Sequence, residues 1–458
     1  MVLNSNIDVP GADSSPLYRS VSMSNGKTIA FFPEGAYGPA LNSVGIAQAC
    51  KALGHRPVFI CDPGFRGVFT EYGFEEYEVS LSEPMPPEEA ARHWSDFVDK
   101  HIPNFSKTPL EQLENYVREC WEAIVDTARW AQQGLPTVLA EIEPDLVCVD
   151  NVILFPAIKQ CGVPWVRIVS CSENEIPDPD IAPYLSGCAA GDSEGFEKFR
   201  RRYREVLEPV HRNFNQFLQE CGEAPYPRGV FVEESPWMNL LLYPKAARFD
   251  RRNPLDPERF QYLEGCVRKE APYQVPEFCV SDEWPLLYVS FGTLGAGDIG
   301  LMKRLISTLG RLPYRVLMNV GDYLAEYTEV PANIHLSPWF PQPSVIPQVD
   351  VVIHHGGNNS FTECLYFGKP ALIMPYVWDG HDNATRVQET GHGLKLSRYD
   401  WSDAELASSL DTLLRDEAVQ RRLRDTSTQM QARCGARKAA GILDDLLRAQ
   451  AEAKSHAC

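Results

Sequence analysis

The sequence predicts an α/β protein of two doubly wound domains, each a parallel sheet wrapped by helices, facing one another across a cleft. Three observations predict it. Short β-branched or apolar runs alternate with helical segments, the pattern of strand–helix–strand units. The alternation breaks off in a stretch rich in Pro and charge, then resumes with a second set. At 458 residues the chain exceeds one ordinary core and fits two domains of about 200 residues.

Residues 1–26 are polar and read as a flexible leader. The first alternating set starts with "KTIAFF", a Gly-rich loop from Pro33 to Asn42, a helix over 42–53 and "PVFIC". Long helices within 86–138, "DLVCVD", a helix over 154–161 and "VPWVRIVS" continue it. From Ser172 to Pro236 a Pro-rich loop and a long charged helix, followed by "MNLLLY", read as an insertion over the end of the sheet. Residues 27–265 make this domain, and 266–284, with "RKEAPYQVPEFCVSDEWP", the linker.

The second domain, 285–436, follows the same logic: "LLYVSFG", a helix over 298–310, "YRVLMNVG", "NIHL", "VVIHH", a helix over 359–367, "ALIMP", a helix over 382–390, "LKL" and a helix over 403–415. An amphipathic helix over about 437–452 lies in the last segment, 437–458. No fixed-period repeat is present.

Hydrophobic residues make up 44% and charged residues 23%, the balance of a soluble globular enzyme. The formal charge of −19 repels phosphate backbones and anionic lipid, so neither nucleic acid nor a membrane surface is expected as a partner. Arg200, Arg201, Arg202 and Arg204 alternate with Glu at helical spacing and read as a solvated helix face. The thirteen Cys lie singly, with no C-x-x-C pair, as in a reduced, cytoplasmic protein. No window approaches 18 apolar residues, so no spanning segment is expected.

Two motifs have plain readings. "GAGDIG", Gly295 to Gly300, matches the G-x-G-x-x-G of a dinucleotide site, with Asp322 after the next strand as the ribose acid. The match is short, and Gly292 and Thr293 already end the strand. "DPD", Asp178 to Asp180, looks like an acid pair for a metal-bound nucleotide, but Pro and Asp there build a turn.

The strongest signal is "WFPQPSVIPQVDVVIHHGGNNSFTECLYFGKPALIMPYVWDGHDNATRV", Trp339 to Val387. A strand ends at "HGGNN" and a helix opens at Asn359 or Ser360. Exposed amides at a helix start, with Gly356 and Gly357 allowing close approach, suit a diphosphate. His355 adds a donor, and Glu363, one turn on, reaches a ribose diol. His354 and His355 are a poor metal pair, because neighbouring strand residues point to opposite faces.

In these residues the chain resembles the UDP-glycosyltransferases, which have the two-domain GT-B fold; the likeness spans nearly the whole chain and is most specific over these fifty residues. The resemblance implies that Trp339 stacks on the nucleotide base and Gln342 lies beside base and ribose. His355, Asn359, Ser360 and the Gly357 turn would hold the diphosphate, Glu363 the ribose, and Asp379 the sugar hydroxyls. "SFGT", with Gly292 and Thr293, sits where the family has a second phosphate-contacting loop.

Two departures stand out. Where the family follows the sugar acid with Gln, this chain has Gly380. Where the family's loop reads G-H-x-x-P, with His as general base, the corresponding places hold Gly38, Pro39 and Asn42, and no His lies between Pro33 and Asn42. The acid that orients that His matches Asp150, whose plain reading is a cap. Only Glu34 and Tyr37 are ionisable in the loop, and Tyr37 and Pro39 are placed on the acceptor side; the missing base points to an amine or other nucleophile that needs no strong base, unless Asp150, Glu34 or a group of the substrate takes over.

The resemblance implies an inverting, metal-independent transfer of a sugar, a hexose in the expected case, from a UDP- or TDP-linked donor, a co-substrate with no cofactor beside it. His355 and the helix start stabilise the leaving diphosphate. An alcohol acceptor needs a base worth about 10² to 10⁴ in rate, whereas an amine needs less. The acceptor is expected to be small and apolar or aromatic, held by Trp94, Phe97, Trp121, Trp130 or Tyr184, and the protein a monomer or weak dimer. The alternatives are an NAD-dependent oxidoreductase and a catalytically silent partner protein.

Overall fold

The structure, a computed structural model, describes residues 26–35 and 37–457. The expected leader therefore lies, but for Gly26, outside the described residues.

Strands form where apolar runs were read, and also at Glu75–Glu78 and Phe260–Tyr262, where none was. The first sheet comprises β1 (Thr28–Pro33), β2 (Arg56–Cys61), β3 (Glu75–Glu78), β4 (Leu146–Asp150), β5 (Trp165–Val169), β6 (Met238–Leu241) and β7 (Phe260–Tyr262). Its order is β3-β2-β1-β4-β5-β6-β7, and every pairing is parallel. The second sheet comprises β8 (Leu286–Ser290), β9 (Arg315–Asn319), β10 (Ile334–Ser337), β11 (Val351–His354), β12 (Ala371–Ile373) and β13 (Gly393–Lys395), in the order β10-β9-β8-β11-β12-β13. These pairings are parallel too. Between Tyr262 and Leu286 there is neither helix nor strand.

Both faces of the first sheet are covered, which is why its strands read as unbroken apolar runs. Ala30, Phe32, Val147 and Val149 point into one core with the helix Arg118–Ile142. Ile29, Phe31, Leu146 and Cys148 point into another. That second core is closed by the last helix, Gly435–Ala457, whose Ala439, Ala440, Leu443 and Leu447 pack on the helix Tyr37–Ala52. The chain thus returns from the second sheet to the first.

Three local expectations are corrected. The helix after β1 begins at Tyr37, not Asn42, so Tyr37 and Pro39 stand in a first helical turn and not in a loop. Proline is tolerated there because the first-turn N–H groups have no intrahelical acceptor. The acceptor-side role expected of these two falls on side chains outside the described set. The charged helix of the insertion is two helices, Ser193–Val206 and Glu208–Glu220, which meet at Leu207 before Pro209. A helix absent from the sequence reading, Glu417–Arg433, begins at an Asp416 cap whose carboxylate accepts from the Ala418 and Val419 amides.

Candidate functional site

In a doubly wound sheet, ligands sit beyond the carboxyl ends of the strands where the order reverses. Those points are β1/β4 and β8/β11, and the two meet. Asn358 Nδ2 donates to the Ser170 and Leu242 carbonyls, both at 2.8 Å, and Asn359 Nδ2 to the Gly38 carbonyl at 3.0 Å. Asp382 accepts from the Leu185 and Gly187 amides at 2.7 and 2.8 Å. The Ser172 amide donates to Asp379 Oδ2 at 3.2 Å.

On the second sheet, β11 ends at His354 and the helix Asn358–Phe367 starts after Gly357. His354 is buried, accepts the Gly356 amide at Nδ1 and faces away from its neighbour, the two rings standing at 87°. Burial, with Arg398 adding, pushes the His355 imidazole down to about 4, so it is neutral. Its ring borders Gly292 and Gly357, and its Nδ1 has no hydrogen-bond partner among the described residues. Thr293 is exposed beside Gly292, at the start of the short helix Gly292–Ala296.

Further along, the Trp339 ring is 57% exposed, free to carry a flat ligand. Gln342 Nε2 donates to Ser360 Oγ at 3.2 Å and to Glu363 Oε2 at 2.6 Å, and Arg268 Nη1 lies 3.3 Å from Glu363 Oε1. Asp379 heads the helix Gly380–Glu389, and burial, with Asp382 adding, pushes its carboxyl up to about 8. Gly380 is packed against the backbone: a Cβ there would lie 2.6 Å from the His355 carbonyl oxygen. A sugar could meet Gly380 only through its main chain.

The "GAGDIG" stretch offers no cradle. A Cβ at Gly295 would meet Phe291 and Tyr376, and Asp298 caps the helix Ile299–Leu309 and pairs with Arg398 at 3.1 Å. "DPD" is a turn: Asp178 accepts from the Asp180, Arg252 and Asn253 amides, and Asp180 pairs with Arg252. Among the described residues no group of three or more His, Cys, Asp or Glu could hold a metal.

Carboxylates gather on the first sheet. The Glu34 amide donates to the Asp150 carbonyl at 2.7 Å. Asp150 ends β4 and is buried; Oδ1 accepts from Ser170 Oγ at 2.6 Å, while Oδ2 has no partner among the described residues. Burial, with Glu175 adding, pushes Glu34 up to about 7. Burial holds Asp150 well above the usual carboxylate range, and Glu34 and Glu175 raise it further against the Ser170 hydroxyl and Arg167. Glu175, in the turn Glu173–Glu175, pairs with Arg167 of β5.

A cavity of about 500 Å³ opens beside this cluster, within the range of small-molecule sites. Trp121, Tyr184, Tyr203 and Phe231 are among its walls. Of the expected aromatics, Trp121 and Tyr184 line it and Trp130 does not. Phe97 packs on His101 and Tyr116 instead, and the Trp94 side chain lies outside the described set. Sequence reasoning missed Glu175, Arg167 and Arg268, for which no local signal exists, and Asn358, which stood in the quoted motif beside Asn359.

Two parallel sheets joined in this way are the GT-B architecture. Residues 303–446 match the family model "Erythromycin biosynthesis protein CIII-like, C-terminal domain". The chain is 24% identical over 437 residues to the oleandomycin glycosyltransferase of Streptomyces antibioticus, covering 93% of this chain and 92% of that protein. The structure is similar to that of the glycotransferase of kitacinnamycin, with a TM-score of 0.69 at 21% identity, over 92% of this chain and 99% of that one. It is also similar to glycosyltransferase VinC in complex with DTDP, with a TM-score of 0.60 at 17% identity, over 92% and 99%. Over nearly its whole length the chain is thus similar to nucleotide-sugar glycosyltransferases of this architecture. It is a nucleotide-sugar-dependent glycosyltransferase. No helix among the described residues is long and apolar enough to cross a membrane.

Proposed function

We propose that the protein transfers a hexose-type sugar, with inversion, from a UDP- or TDP-linked donor to a small apolar or aromatic acceptor. Residues 285–436 carry the donor and 27–265 the acceptor, with 266–284 between them. The observation that carries this reading is the seam where Asn358 and Asn359 bond to Ser170, Leu242 and Gly38. It sets the helix start of the second sheet directly against the carboxylates of the first.

Trp339 stacks on the base, and Gln342 and Glu363, steadied by Arg268, hold base edge and ribose. His355, Asn359, Ser360 and the Gly357 turn receive the diphosphate, with Gly292 and Thr293 on its other side. A neutral imidazole donates one N–H to the growing charge at no desolvation cost of its own, and such a donor is worth about 2.7 to 4 kcal/mol. Asp379 and the Gly380 backbone take the sugar hydroxyls. The acceptor proton passes to the carboxylate cluster to which Glu34 and Asp150 belong, where burial raises the affinity for protons as a general base requires.

Calorimetry with UDP, TDP and NAD, together with product detection from UDP-glucose or TDP-glucose and matched phenol and aniline acceptors, tests it. Nucleotide binding with glycoside of inverted configuration is expected. NAD binding alone would overturn the reading in favour of an oxidoreductase, and nucleotide binding without turnover in favour of a silent partner protein.

A further inference from the structure

We propose that Glu175, held by Arg167, is the group that meets the acceptor and takes its proton; this rests on the glycosyl-transfer reading above. Three carboxyl groups stand in the cluster, and Glu175 alone is on the wall of the 500 Å³ cavity, together with Arg167. Glu34 and Asp150 lie behind it at the ends of β1 and β4.

The inner end of the cavity is where the sugar would be. Its walls Trp121 and Tyr184 reach across to Trp378 of the second sheet's side, with ring centroids 6.2 and 6.3 Å apart. Trp378 has φ +56°, a left-handed backbone that a Trp adopts only when its surroundings hold it there. The next residue is Asp379, which the Ser172 amide contacts, and Glu175 follows Ser172 by three residues. Two buried polar atoms of the cavity's lining residues, Arg167 Nε and Asn174 Oδ1, have no hydrogen-bond partner among the described residues. Unpaired buried groups of opposite character await a ligand group that both accepts and donates, such as a hydroxyl.

Charge placement agrees. Burial drives carboxyl groups toward the neutral form, and one buried cation supports one negative charge. Burial raises the Glu175 carboxyl and Arg167, bonded to it, draws it back down, so of the three carboxyl groups it is the one with a cation directly beside it. In the transfer the acceptor O–H or N–H bond breaks, its electron pair bonds the anomeric carbon and the proton goes to Glu175. The bond from that carbon to the diphosphate oxygen breaks, and the nucleoside diphosphate leaves with that pair.

The test is Glu175→Gln, assayed with UDP-glucose or TDP-glucose against 4-methylphenol, which must lose a proton, and 4-nitrophenol at a pH where it is already ionised. A loss of about 10² to 10⁴ on 4-methylphenol is expected, with a much smaller one on 4-nitrophenolate and unchanged UDP binding by calorimetry. Glu175→Asp, which keeps a carboxylate on a shorter arm, is expected to lose more on 4-methylphenol than on 4-nitrophenol but less than the Gln variant. Equal losses on both phenols, in whichever variant folds, or no loss at all, overturn the assignment. A wild type that binds UDP or TDP yet makes glycoside from neither phenol nor aniline overturns the transfer reading itself and the assignment with it.

Discussion

Replacing Gly380 by Gln, the residue that the resemblance leads one to expect, is predicted to damage the site instead of re-tuning it. A Cβ at 380 would stand 2.6 Å from the His355 carbonyl oxygen, and one at Gly356, where φ is +95°, would stand 2.6 Å from the Gly380 carbonyl. Side-chain carbons do not approach closer than 3.0 Å, so the two backbones must part by at least about 0.4 Å. Overpacking of this kind costs about 1 to 3 kcal/mol, or a fall in Tm of roughly 2 to 12 °C for a domain of this size. The strand end that moves is the one carrying His355, and displacements approaching 1 Å cost about 10²-fold in rate. The assay is differential scanning calorimetry of Gly380→Ala and Gly380→Gln, with turnover on UDP-glucose, UDP-galactose and TDP-glucose. Both variants should lose stability and lose turnover on every donor alike. A variant with Tm within 1 °C of wild type, as the instrument resolves it, and a new donor ranking would refute the close-packing argument.

Three further predictions follow from the same geometry. His355→Ala should lower kcat by about 10² to 10³ and leave UDP binding intact, and a change under about fivefold would remove His355 from the diphosphate site. Burial, with Glu175 adding, pushes Glu34 up to about 7, and because neighbouring carboxyl groups couple, kcat/KM on 4-methylphenol should change as pH passes through that value. Glu34→Gln, by removing the group that titrates there, should shift or abolish that change, and an unmoved profile would refute the coupling. Asp382 is pushed up to about 7 by burial, above its unfolded value of about 3.9, so the stability it contributes is complete below pH ~4 and is lost as pH rises through 7. Calorimetric Tm should therefore decline from pH 5 to pH 8 in the wild type and less steeply in Asp382→Asn; parallel curves would refute it.

The sequence by itself determined the α/β architecture and the strand–turn–helix of the "HGGNN" motif, because both are local. Strands covered on both faces, such as β1, β4 and β8, must be apolar along their whole length, and the "HGGNN" turn with its following helix is written in consecutive residues. Where local pattern and environment part company, reading failed: β3, "EEYE", is an edge strand whose charges keep it from pairing further, and Pro39 looked like loop although it sits in a helix. Gly380 looked like a missing specificity residue, and only the approach of the His355 carbonyl shows why no side chain fits. The acceptor side was decided by tertiary structure alone. Glu34, Asp150, Arg167 and Glu175 come from four separate segments; the first two were named from the sequence, but Arg167 and Glu175 have no unusual sequence neighbourhood and nothing local joins the four. The raised proton affinities of the three carboxyl groups arise from their being withdrawn from water together, and burial is a property of the assembled fold that no stretch of sequence contains.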